Sequence, residues 1–222
     1  SGYTTVVITA VFHAYLVAAV AGKAPWATFA WTAALSVSYL AVLLTAPLVG
    51  AWADAHAAKK RLLLAATIGC VVFTGLLYFV SPGGVILAIC LIILSNFFFA
   101  TGENLIAAFL TELADSKAMG RVSGWGWAFG YLGGLVSLGI SLFYITIAQE
   151  DGQTAAQFVP VVMLITAVVF ALCATPTFLF LKERALPRKL GQRAWDQVLQ
   201  TLRQANRFRD LRRFLVCILF YQ

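Results

Sequence analysis

Residues 62–102 read LLLAATIGCVVFTGLLYFVSPGGVILAICLIILSNFFFATG, 41 positions without one Asp, Glu, Lys or Arg. A helix crossing a bilayer needs about 20 predominantly apolar residues. The run is therefore too long for one crossing and long enough for two. At its middle, Ser81-Pro82-Gly83-Gly84 supplies the chemistry of a tight turn. The stretch predicts a hairpin of two membrane-spanning helices.

Working outward, residues 1–22, 24–53, 122–149 and 152–181 are equally free of charge. Helices are predicted over roughly 3–22, 27–53, 61–80, 84–112, 121–148 and 157–181, with a seventh apolar segment opening near Phe214. The composition agrees: 61% of the 222 residues are hydrophobic, and 25 are charged where a soluble domain of this length carries about 55. A water-soluble globular fold is excluded, because a compact body of this size cannot hide so much apolar surface. The fold class is all-α, a polytopic membrane helix bundle of six transmembrane helices (1–181) plus the start of a seventh (214–222). The chain opens on Ser and closes inside an apolar run, as expected of a piece of a longer protein. No basic n-region frames the first segment as a secretory signal.

Cytoplasmic loops retain Lys and Arg during insertion. Under strict alternation, fifteen of the sixteen basic residues fall on one side, Lys23 being the exception. The N-terminus is thereby expected in the cytoplasm of a multi-pass protein of the bacterial inner membrane. Trp26 and Trp31 on the outer side, and Trp52, Trp125 and Trp127 on the inner, are expected in interfacial belts. The basic segment 182–213 spaces Trp195, Val198, Leu199 and Leu202 mostly as a helix does. It lies between hydrophobic spans, so it reads as an amphipathic linker on the anionic inner leaflet rather than a nucleic-acid arm. Cys70, Cys90, Cys173 and Cys217 show no CxxC spacing, and neither a metal site nor a disulfide framework is indicated. No cofactor is called for.

Two stretches carry more than hydropathy. Pro47-Leu48-Val49-Gly50-Ala51-Trp52-Ala53-Asp54, followed by Lys59-Lys60-Arg61, joins the second and third spans. Asp54 sits where the helix dipole is already negative, so it needs a partner. Lys59, Lys60 and Arg121 are candidates. Alternatively, the basic cluster merely fixes topology. In the second stretch, GRVSGWGWAFGYLGG over 120–134, Gly126, Gly130 and Gly134 recur every fourth residue with Gly133 beside them. Such spacing suits close helix packing.

The first stretch resembles the signature loop of the major facilitator superfamily, with Ala57 and Ala58 standing where that loop has a Gly and a basic residue. In that family the loop's carboxylate and basic residues hold neighbouring helix ends together in one state of the transport cycle. Together with Ser1-Gly2-Tyr3-Thr4-Thr5-Val6-Val7, Phe109-Leu110-Thr111-Glu112-Leu113-Ala114 and the 120–134 run, it is similar to the vacuole-effluxer-like, or unknown major facilitator, branch. That branch includes fungal autophagy-related vacuolar amino-acid exporters. The resemblance implies a secondary transporter of twelve helices in two halves, this chain being the N-terminal half. It implies a small-molecule substrate, amino acids among the solutes, and a C-terminal six-helix half as partner. Each half is made of inverted three-helix repeats, with the substrate site near the bilayer midplane. Antiport cannot be read from the fifth helix, where Tyr131 replaces the Pro of the antiporter motif.

Ionisable residues inside a membrane usually face a bundle interior or an aqueous cavity. Here they are His13 in the first span and Glu103 in the fourth. Asn96, Ala100, Glu103 and Ala107 share one helix face, with Asn104 beside it. This stripe is expected to meet His13 and Tyr15 across a cavity. The blander alternatives are an imidazole hydrogen-bonded between helices and a structurally paired carboxyl. Two rival functions are a six-helix scaffold without transport and an intramembrane enzyme. For the latter, Ser123-Gly124 has the wrong spacing for a nucleophile turn, and no nucleophile and base pair is evident.

Overall fold

The computed structural model describes residues 7–113, 115, 117–181 and 213. The predicted linker and seventh segment lie outside them, apart from Arg213. The described residues form six helices and no strand: α1 Ile8–Val20, α2 Ala27–His56, α3 Lys59–Leu76 with a 3-10 turn over Leu77–Phe79, α4 Val85–Leu113, α5 Met119–Glu150 and α6 Ala155–Phe180. Helices α2 to α6 are each long and apolar enough to cross a membrane.

The hairpin expected from residues 62–102 is the α3–α4 pair. Pro82 and Gly83, the latter at φ +89°, occupy the central positions of the 81–84 turn, closed by Gly84 N–H to Ser81 O at 2.9 Å. Pro followed by a positive-φ Gly is the pairing a type II turn requires. Helix α6 begins two residues earlier than the hydropathy suggests because Thr154 and Gln157 form a capping box, Thr154 N–H donating to Gln157 Oε1 at 2.8 Å.

Helix α4 is the hub. It packs extensively on α3 and α2, and α3 packs in turn on α6. Gly69 makes the α3–α4 approach possible: a Cβ there would stand 2.6 Å from the Phe98 ring, which itself stacks on Phe73 at 5.6 Å. Apolar side chains gather in two groups. The larger, including Phe12, Leu16, Leu77, Ile92 and Met163, fills the end near the 81–84 turn. The smaller, Ala53, Leu63, Leu105 and Phe109, braces the end carrying Lys59 to Arg61, called here the basic end.

Helix α1 departs from the regular α-helix assumed from hydropathy. Ile8–Phe12 and Leu16–Val20 are π-helical, with His13–Tyr15 between them. Its last turn closes by Ala21 N–H to Leu16 O at 2.8 Å and is tied to the hairpin by Gly83 N–H to Val20 O at 3.0 Å.

Candidate functional site

A small cleft of about 40 Å³ opens between α1, α2 and α4. Ile8 and Thr9 come from α1, Trp31, Leu35 and Tyr39 from α2, and Ile92, Ser95, Asn96 and Phe99 from α4. The α2 contribution follows from its inward stripe, Ala27, Trp31, Ala34, Ser38 and Val42 being buried at helical spacing. Trp31 is thus only 7% exposed, which corrects its assignment to an interfacial belt. Trp26, Trp52, Trp125 and Trp127 are exposed, as belt residues are.

Polar contacts cross the helices beside the cleft. Asn96 Nδ2 donates to Ser38 Oγ at 3.0 Å, joining α4 to α2. One residue away, Ser95 Oγ and Thr74 Oγ1 lie 2.8 Å apart, joining α4 to α3, with Cys70 Sγ 4.0 Å from Thr74. Sequence reasoning found Asn96 and missed Ser38, Thr74 and Ser95. Small hydroxyl residues are common in membrane helices, and only their register, with all three buried, sets these apart.

His13 lies one π turn beyond Ile8, its N–H donating to Ile8 O. Its ring sits 5.0 Å from Trp31, on the cleft wall, and Nε2 is buried with no hydrogen-bond partner. Tyr15 is not on this face. It is buried, and its hydroxyl donates to Val80 O at 3.3 Å, so it anchors α1 to the hairpin instead of meeting Glu103. Glu103 and Asn104 are exposed on this six-helix body. Asn96 therefore lines the cleft, His13 packs against its Trp31 wall, and Glu103 stands one helical turn along α4 from its Phe99 wall.

At the basic end, Lys59 Nζ pairs with Asp54 Oδ1 at 3.1 Å. Of the three candidate partners, it is the residue across the α2–α3 turn that the chain brings to the carboxylate. Arg61 and Arg121 are exposed and Lys60 is half-buried. Gly50 lies inside α2 with open space where a Cβ would be. Ala57, standing where the loop pattern has Gly, ends α2 in the left-handed region at φ +46° and ψ +50°. His56 stacks on Trp52 at 4.6 Å one turn earlier.

Among the α5 glycines, Gly134 is buried and Gly126, Gly130 and Gly133 are not. A Cβ on Gly126, Gly130 or Gly133 would meet nothing within 4 Å among the described residues. Helix α5 joins the body through its later half instead, where Gly134, Ser137, Ser141 and Ala148 are buried, and it packs mainly on α6.

Five long apolar helices among the described residues define a polytopic membrane protein. The family model described as "Vacuole effluxer Atg22 like" matches residues 17–222, and the chain belongs to that family. It is also 27% identical to the "Uncharacterized MFS-type transporter YxiO" of Bacillus subtilis strain 168, over the whole of this chain and 54% of that protein. The chain thus spans about half the length of that relative. No solved structure matches.

Proposed function

We propose that this chain is the N-terminal half of a secondary transporter that moves a small solute, amino acids first among them, across the membrane by alternating access. The observation that carries the reading is the Asn96–Glu103 face of α4, polar and charged within a family of transporters. A charged side chain in a spanning helix is costly against lipid and belongs against protein or a water-filled path. A second six-helix half facing that side makes the path. Residues 182–213 serve as the linker and residues 214–222 start the seventh helix. The Asp54–Lys59 pair acts as a latch that holds the α2 and α3 ends together in one conformation. The glycine face of α5 receives the opposite half.

The test is uptake and efflux of a broad panel of labelled solutes by the complete protein in proteoliposomes, with and without a pH gradient. Gradient-dependent movement of at least one solute is expected. Folded protein that moves none under either condition returns the chain to the scaffold reading.

A further inference from the structure

Glu103 interrupts an otherwise uncharged run from residue 62 to residue 111. No Lys or Arg lies in that run, or in the uncharged stretches 24–53 and 122–149. The fixed charge available to a solute at this face is negative, so the solute group it selects is a cation.

The register of α4 ties that charge to the cleft. Glu103 follows Ile92, Asn96 and Phe99 by eleven, seven and four residues, the spacings that return to one helix face. Three of the cleft's lining residues and the carboxylate thus share a single stripe. Four residues at 1.5 Å rise place Glu103 about 6 Å along the axis from Phe99. That separation matches the reach of a two- or three-carbon chain. The cleft walls are aromatic and apolar, with Trp31, Tyr39 and Phe99 among them. The amide nitrogen of Asn96 is already engaged with Ser38. Such walls favour an apolar group, and aromatic faces add attraction for a neighbouring ammonium. The cleft is small and partly open, which suits a short tail.

We propose that this cleft and Glu103 together form a binding site for primary ammonium compounds with a short apolar tail, the ammonium against Glu103 and the tail between Trp31, Tyr39, Ile92 and Phe99. α-Amino acids carry the same ammonium, so simple amines and amino acids share this half of the site. A solute's carboxylate is not required by it. The proposal rests on the transporter reading only in taking the cleft to be reached by solutes.

The experiment is equilibrium binding to the complete protein in nanodiscs. The probes are 2-phenylethylamine, its N-acetyl derivative and 3-phenylpropionate. Saturable binding of the amine is expected, with the neutral and anionic probes at least about tenfold weaker. Glu103→Gln should weaken amine binding by at least about tenfold, while Glu103→Asp retains part of it. Equal binding of the N-acetyl compound, absence of saturable amine binding, or unchanged affinity in Glu103→Gln overturns the proposal. Should Glu103→Gln not fold, Leu35→Trp, at a partly buried lining position, narrows the cleft, and retained amine affinity in that variant overturns it equally. Transport of any solute without amine binding refutes this inference alone. Amine binding to a protein that moves nothing refutes the transport reading alone.

Discussion

At the residue scale, Ala57 carries a conformation that suits another amino acid. A Cβ in the left-handed region costs about 1–2 kcal/mol, and glycine escapes it. Ala57→Gly should therefore stabilise the protein by about 1 kcal/mol, raising Tm by about 2–4 °C in a thermal unfolding scan. A lowered Tm would mean that the turn does not adopt this geometry. Asp54 behaves differently, because its side chain is 57% exposed and a surface ion pair is worth about 0–1 kcal/mol. Asp54→Asn should leave expression and Tm nearly unchanged yet slow solute flux, since the pair biases one conformation over another. Unchanged flux would leave the loop with topology alone. The sequence announces Asp54, Lys59 and Glu103 because isolated charges are conspicuous in apolar surroundings. Trp31 is not announced. A tryptophan four residues from a helix start reads as an interfacial anchor, and only the inward register of α2 turns it onto the cleft.

At the scale of elements, the number of helices among the described residues and most of their boundaries were legible to within a few residues, because charge-free length and Pro-Gly turns report where lipid ends. The π turns of α1 were not, since no Gly or Pro marks them within Ile8–Val20. Glycine spacing reports what a helix face permits, whereas packing depends on which partner is present. The contrast between Gly69 and Gly130 makes this measurable. Gly69→Ala drives a methyl into the Phe98 ring and should cost about 1–3 kcal/mol. Gly130→Ala meets open space in this half, so any stability cost in the complete protein would locate a partner on that face. The Thr74–Ser95 contact tests the α3–α4 seam independently. A double-mutant cycle of Thr74→Val and Ser95→Ala should give a coupling of about 0.6 kcal/mol, the average for interhelical hydrogen bonds in membranes. Zero coupling would place the two hydroxyls out of contact.

At the scale of the whole molecule, large apolar side chains lie on the outside, Ile86 and Phe180 each 81% exposed. In water this surface would aggregate; in lipid it is solvated. The same inversion makes the placement of charge informative about orientation. Turns 21–26, 81–84 and 151–154 alternate along the chain with the α2–α3 and α4–α5 connections, and Gly83 N–H to Val20 O ties two of the first group together. The connections of the other group and the helix starts that follow them carry Lys59, Lys60, Arg61, Lys117 and Arg121, against Lys23 alone in the first group. Since basic loops stay in the cytoplasm, single cysteines at Pro25, Gly83 and Gly152, on a background freed of native cysteines, should react with an impermeant maleimide added outside intact cells. Cysteines at Ala57 and Lys117 should react only after permeabilisation. Complete reversal of the pattern would invert the orientation while preserving the bundle. Labelling of position 83 together with position 57 from one side would instead break the hairpin, because α3 could not then cross the bilayer between them.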